Sequence, residues 1–179
     1  MILGLFRPRH PAIQELYDSI AAASRAEGLY ASLGVPDTVE GRFESLSLHV
    51  VLALRVLRRL PPPADDVAQE LVDYFFGQIE AFLREMGVGD VTVPKRMKRL
   101  GRAFYGRASA YDELLDRGDR TALAAALGRN VLGGDEAAPA LAAYAVAAEE
   151  GLAAQSLDAL LRRGVPFPSP DRFSGALAS

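Results

Sequence analysis

Apolar residues return every three or four positions in block after block of this chain, and glycine or proline closes each block. That period marks one face of a helix. No segment shows the two-residue alternation of a half-buried strand, so the sequence predicts an all-α fold. The first block, 11–27, carries Ile13, Leu16, Tyr17 and Ile20 and is closed by Gly28. A second, from 37 to about 60, carries Val39, Phe43, Leu46, Val50, Leu54 and Leu57, while Arg42, Glu44, Arg55 and Arg58 fall mostly off that face. It opens on Asp37-Thr38-Val39-Glu40, which has the form of a capping box, and residues 29–36 before it read as a loop. Pro61, Pro62 and Pro63 break this helix.

The third block, 66–86, has Val67, Leu71, Phe75, Ile79, Phe82 and Met86 on one face, widened by Tyr74, Phe76 and Leu83. Such a wide stripe packs on two neighbours, which makes this the expected central helix. A fourth helix, 94–117, turns Met97, Leu100, Phe104, Ala108, Tyr111 and Leu114 inward, and Gly118-Asp119 ends it and caps a fifth, 120–132. After the Gly133-Gly134 break come a sixth, 135–150, and a short seventh, 157–162. The expectation is a single-domain bundle of six or seven helices over 11–163, with a flexible start, 1–10, and an extended, partly mobile proline-containing tail, 164–179.

At 179 residues, half of them apolar and 24% charged, the chain suits one globular domain. A net charge of −3 argues against a surface built to follow a polyanion, so no DNA partner is expected and any anion binding must be local. Cysteine is absent, which removes disulfides, thiolate catalysis and cysteine-held metals. His10 and His49 are the only imidazoles, so neither a metal nor a cofactor is expected. The start, MILGLF followed by Arg7 and Arg9, reverses the order of a secretory signal, and no apolar run reaches the length that spans a bilayer. A soluble or peripheral protein is expected.

The least generic stretch is 83–107, LREMGVGDVTVPKRMKRLGRAFYGR. Gly87 can supply the left-handed residue that ends a helix, Gly89 follows it, Asp90 or Thr92 can cap the next helix, and Pro94 suits its first turn. The stretch reads as helix, tight elbow, helix. Beyond the elbow, Lys95, Lys98, Arg99 and Arg102 share a side away from the apolar stripe, with only Glu85 and Asp90 near in sequence to offset them. Such a face is either solvated or made for an anionic partner: lipid headgroups, ribosomal RNA or an acidic protein surface. Tyr105 is the only aromatic there left free of the core, too little by itself for an RNA-binding module.

Catalytic signals are weak. Gly87-x-Gly89 lacks the strand, third glycine and lysine-serine pair of a phosphate loop. The paired carboxylates Asp65/Asp66, Asp112/Glu113, Asp135/Glu136 and Glu149/Glu150 fall near helix starts or on solvated faces. His49 lies beside the core stripe, where a lone histidine is commonly a hydrogen-bonded core residue. An enzyme using the His49 region and a basic-patch RNA-binding module stand as alternatives to a protein-binding function.

Three segments in order, GVPDTVEGRFESLSLHVVLALRVLRRL, LREMGVGDVTVPKRMKRLGRAFYGR and LGRNVL, resemble the ubiquinol-cytochrome c chaperone family, over roughly 16–163. The resemblance implies a helical, non-enzymatic assembly factor for the cytochrome bc1 complex that holds newly made cytochrome b at the inner membrane. Mitochondrial members of the family are associated with ribosomes, which makes the ribosome a second candidate partner. A free-standing chain of this length resembles a bacterial member, cytoplasmic and peripheral to the inner membrane. Pro94 departs from the family pattern, where a small residue is expected. With the resemblance, the candidate partner-binding set is Lys95, Arg96, Lys98, Arg99, Arg102, Tyr105 and Arg107, aimed by an elbow of Gly87, Gly89, Asp90 and Pro94.

Overall fold

A computed structural model describes residues 11–175; the start expected to be flexible, 1–10, and residues 176–179 lie outside the described residues. The fold is an all-α bundle. Its helices are α1 (Pro11–Ala23), α2 (Glu27–Ala31), α3 (Val39–Leu57), α4 (Ala64–Glu85), α5 (Val93–Arg117), α6 (Arg120–Leu127), α7 (Pro139–Ala153) and α8 (Leu157–Arg163). A π-helical turn, Gly128–Leu132, extends α6, and a 3-10 turn, Pro170–Phe173, follows α8.

The central helix is α3, and not α4 as the stripe width suggests. It packs against α1, α4, α5, α7 and the π-helical turn, and every residue from Ser47 to Leu57 is buried. A helix buried on all sides has no polar face to mark it, and SLHVVLALRVL has almost none. The three-four pattern finds one stripe in this segment and understates it. Helix α4 instead runs outward: Leu71, Phe75 and Ile79 are buried, whereas Phe82 and Met86, at the same spacing, are 43% and 62% exposed. The period continues past the point where neighbouring helices stop.

Thr38 caps α3, its hydroxyl accepting from the Gly41 N–H at 3.0 Å; this is the hydroxyl half of the expected box, since Gly41 and not Glu40 holds the third helical position and Asp37 pairs with Arg42 at 2.7 Å. Val39, counted toward the core, lies in that first turn and is 54% exposed. The expected loop after Gly28 contains α2, one short turn of helix held by Leu29 in the core. Gly118, at φ 65°, ends α5, and the Asp119 carboxylate accepts from the Ala122 N–H at 2.9 Å to start α6. At the start of the LGRNVL segment's π-helical turn, a Cβ on Gly128 would run into the Glu136 carbonyl oxygen. Only glycine permits that approach.

The tail differs from its expectation. Residues 164–169 are extended, but they are packed on the bundle. The Val165 N–H donates to Ser19 Oγ at 2.8 Å, Phe167 lies edge-on to His49 with centroids 4.7 Å apart, and Phe173 lies edge-on to Tyr144 at 5.8 Å. Proline stiffens this segment at low entropic cost, and two aromatic rings give it surface to bury. A proline-rich composition alone shows only the stiffness.

Candidate partner-binding face

The elbow is built by local rules. Gly87, at φ 77°, takes the left-handed conformation after α4. Its N–H donates to the Arg84 carbonyl at 3.0 Å, and the Val88 N–H reaches back to the Leu83 carbonyl, also at 3.0 Å. This is the Schellman arrangement, and Val88 packs against the apolar core to which Leu83 belongs. On the far side, the Thr92 and Val93 N–H groups both donate to the Gly89 carbonyl, and Pro94 falls in the first turn of α5. Neither Asp90 nor Thr92 caps α5 by its side chain, contrary to expectation. Thr92 is already helical, so its hydroxyl is wrongly placed to cap, and the Asp90 carboxylate accepts from Arg84, which also binds Glu80 at 2.9 Å.

Past the elbow, Phe104, Ala108 and Tyr111 face the core, while Lys95, Arg96, Lys98, Arg99 and Arg102 are exposed. None of these five meets an acidic partner among the described residues. The nearby acid Asp90 is engaged with Arg84, so it does not neutralise them. Tyr105 is 50% exposed, its ring 5.9 Å from Phe76 and 5.4 Å from Phe104. Arg107 stands apart from the other cations: it pairs with Glu44 of α3 at 2.9 Å, and both are largely covered. Burial pushes the Glu44 carboxyl up to about 7, against the pull of that guanidinium.

The His49 region has a different character. The ring is fully buried, with Nδ1 2.7 Å from the Ser45 carbonyl and Nε2 2.7 Å from the Tyr144 hydroxyl. The carbonyl can only accept, so Nδ1 carries the proton and Nε2 accepts from tyrosine. Burial holds the imidazole down at about 4, although the Ser45 bond opposes this. Two surface grooves, of about 510 Å³ beside Arg25, Tyr30 and Arg42 and about 210 Å³ between α5, α6 and α7, do not include His49. A packed, doubly bonded, neutral histidine is a core residue, which removes the group on which the enzyme reading stood.

Arg55 is the polar residue that periodicity misplaces. It is 5% exposed and binds three carboxylates: Glu149 through Nε at 2.6 Å, Asp116 through Nη2 at 2.6 Å and Asp112 through Nη1 at 3.2 Å. Arg59 joins Asp116 and Glu149 from the rim. Two of the carboxylate pairs expected to be solvated thus contribute to a clamp joining α3, α5 and α7. The unbroken apolar run around Arg55 is the signal that could have found it, since an arginine within it must be paired.

The sequence model described as Ubiquinol-cytochrome C chaperone matches residues 31–167. That match extends past α8 to Phe167, the tail residue against His49. No curated protein matches. The crystal structure of the Cbp3 homolog from Brucella abortus superposes with a TM-score of 0.80 at 42% identity, covering 96% of this chain and 99% of that one. The three motifs, the α3-centred bundle and these two matches agree: the chain belongs to the ubiquinol-cytochrome c chaperone family.

Proposed function

We propose that this protein serves assembly of the cytochrome bc1 complex by holding newly made cytochrome b, and that the start of α5 is the surface through which it meets an anionic partner. Family membership supports the assembly role and favours a protein that handles another protein over one that turns over a substrate. The observation that carries the choice of surface is the group of five exposed cations, without an acidic partner among the described residues, directly after a glycine-built elbow. Like charges this close repel one another, and that repulsion is relieved when an anionic surface docks.

The proposed contact set is Lys95, Arg96, Lys98, Arg99 and Arg102, with Tyr105 at its edge. Gly87, Gly89, Asp90 and Pro94 aim it, and Arg107 ties α5 to α3. The place of action is the cytoplasmic side of the inner membrane, and no helix among the described residues is long and apolar enough to cross a membrane. The ribosome is a second partner under the same reading. Affinity capture from native membranes is expected to recover cytochrome b, and a deletion strain is expected to lose assembled bc1 complex. Recovery of an unrelated client with normal bc1 assembly would overturn the proposal.

A further inference from the structure

The elbow carries a feature that a docking face for acidic protein or RNA does not require. From Arg84 to Thr92 every residue is exposed except half-buried Val88, so this corner projects from the bundle. Its apolar side chains project with it: Met86 is 62% exposed and Val91 93%. Side chains of this kind at the tip of a tight turn lose hydrophobic stabilisation wherever water surrounds them. The cations begin four residues after Val91 and extend over about 10 Å of α5, from Lys95 to Arg102. Residues 84–102 hold six cations and two acids, in a chain whose net charge is −3. One of the two acids, Asp90, is already engaged by Arg84.

An apolar tip backed by long cationic side chains matches the layering of a bilayer surface. Apolar groups reach the boundary of the acyl chains, while lysine and arginine extend back to the phosphates. RNA would call for planar groups to stack on bases, and the tip residues Met86 and Val91 are not planar. Tyr105 is already packed on Phe76 and Phe104. We infer that the α4–α5 elbow docks tip-first on an anionic lipid surface, with Met86 and Val91 entering the headgroup region and Lys95, Arg96, Lys98, Arg99 and Arg102 binding lipid phosphates. The inference rests on the reading of the α5 cations as a partner-binding surface and names that partner.

The chain has no tryptophan, so Val91→Trp places a single fluorescent reporter at the tip. With the full chain and vesicles of phosphatidylcholine containing about one third phosphatidylglycerol, its emission is expected to shift to the blue, and phosphatidylcholine alone is expected to leave it unchanged. Binding measured by flotation is expected to weaken with salt, and by roughly fivefold for each of Lys95, Lys98, Arg99 and Arg102 replaced by glutamine. These four are exposed, so helical content measured by circular dichroism should be unchanged in the variants. Absence of binding to the anionic vesicles, or binding without a blue shift, would overturn the inference. So would binding of single-stranded RNA that competes the vesicles away without shifting the reporter. No client is present in this experiment, so its failure leaves the capture of cytochrome b as a separate test.

Discussion

The two ends of α5 handle charge in opposite ways. At its start, five cations stand exposed with no acidic partner among the described residues; toward its end, Asp112 and Asp116 close around the buried Arg55 together with Glu149. Both are dense in charge, and they differ in whether that charge is paired within the chain. Paired and buried charge fixes the relation of α3, α5 and α7. Unpaired and exposed charge does little for the fold and remains available to a partner. Substitutions at the two ends should therefore separate stability from binding.

The largest effect is expected at the paired end. Arg55→Ala leaves Asp112 without its cation and Glu149 with only the rim Arg59, and removes the buried side chain that joins three helices, which should cost about 3 kcal/mol in urea unfolding. Arg59→Ala, at the exposed rim, should cost under about 1 kcal/mol. Equal losses for the two would break the distinction between clamp and rim.

Next is acid stability. The folded His49 titrates at about 4 against 6.5 for the free side chain, so below pH 6.5 the unfolded chain takes up a proton that the folded chain refuses. Its contribution is full above pH 6.5 and falls as pH drops from 6.5 to 4, by up to about 3 kcal/mol. Glu44, raised from 4.5 to about 7, acts with the opposite sign: its contribution is full below pH 4.5 and is lost as pH rises to 7. Stability curves of His49→Gln and Glu44→Gln, each compared with the unaltered chain, should therefore diverge from it in opposite directions between pH 4.5 and 6.5.

Gly87→Ala should cost about 1–2 kcal/mol, because alanine is strained at φ 77°. It should also weaken partner binding by disturbing the aim of the cations. Smallest of all, replacing Lys95, Lys98, Arg99 and Arg102 by glutamine should change stability by less than about 0.5 kcal/mol while removing partner binding. A large stability loss there would mean that these cations are structural after all.

The same contrast explains what the sequence disclosed. Local signals were legible: the left-handed Gly87, the Thr38 and Asp119 caps and the outward face of α5 each depend on neighbours in the chain. Non-local ones were not. Arg55 looked like a surface arginine because its carboxylates come from α5 and α7, and Phe82 and Met86 looked like core because nothing in α4 itself records where its neighbours end. Asp90 appeared to be a cap until Arg84, six residues back, claimed it. The packed tail escaped notice for a similar reason: Ser19 and His49, its partners, lie more than a hundred residues away.

The central claim is that the start of α5 meets a partner in bc1 assembly, and a photocrosslinking residue placed in turn at each position from Lys95 to Arg107 in cells tests it most directly. Capture should be confined to the exposed positions, with membrane lipid and the cytochrome b held beside it among the products and Arg107 silent behind its pair with Glu44. No capture at any exposed position, with bc1 assembly intact in the same cells, would contradict it.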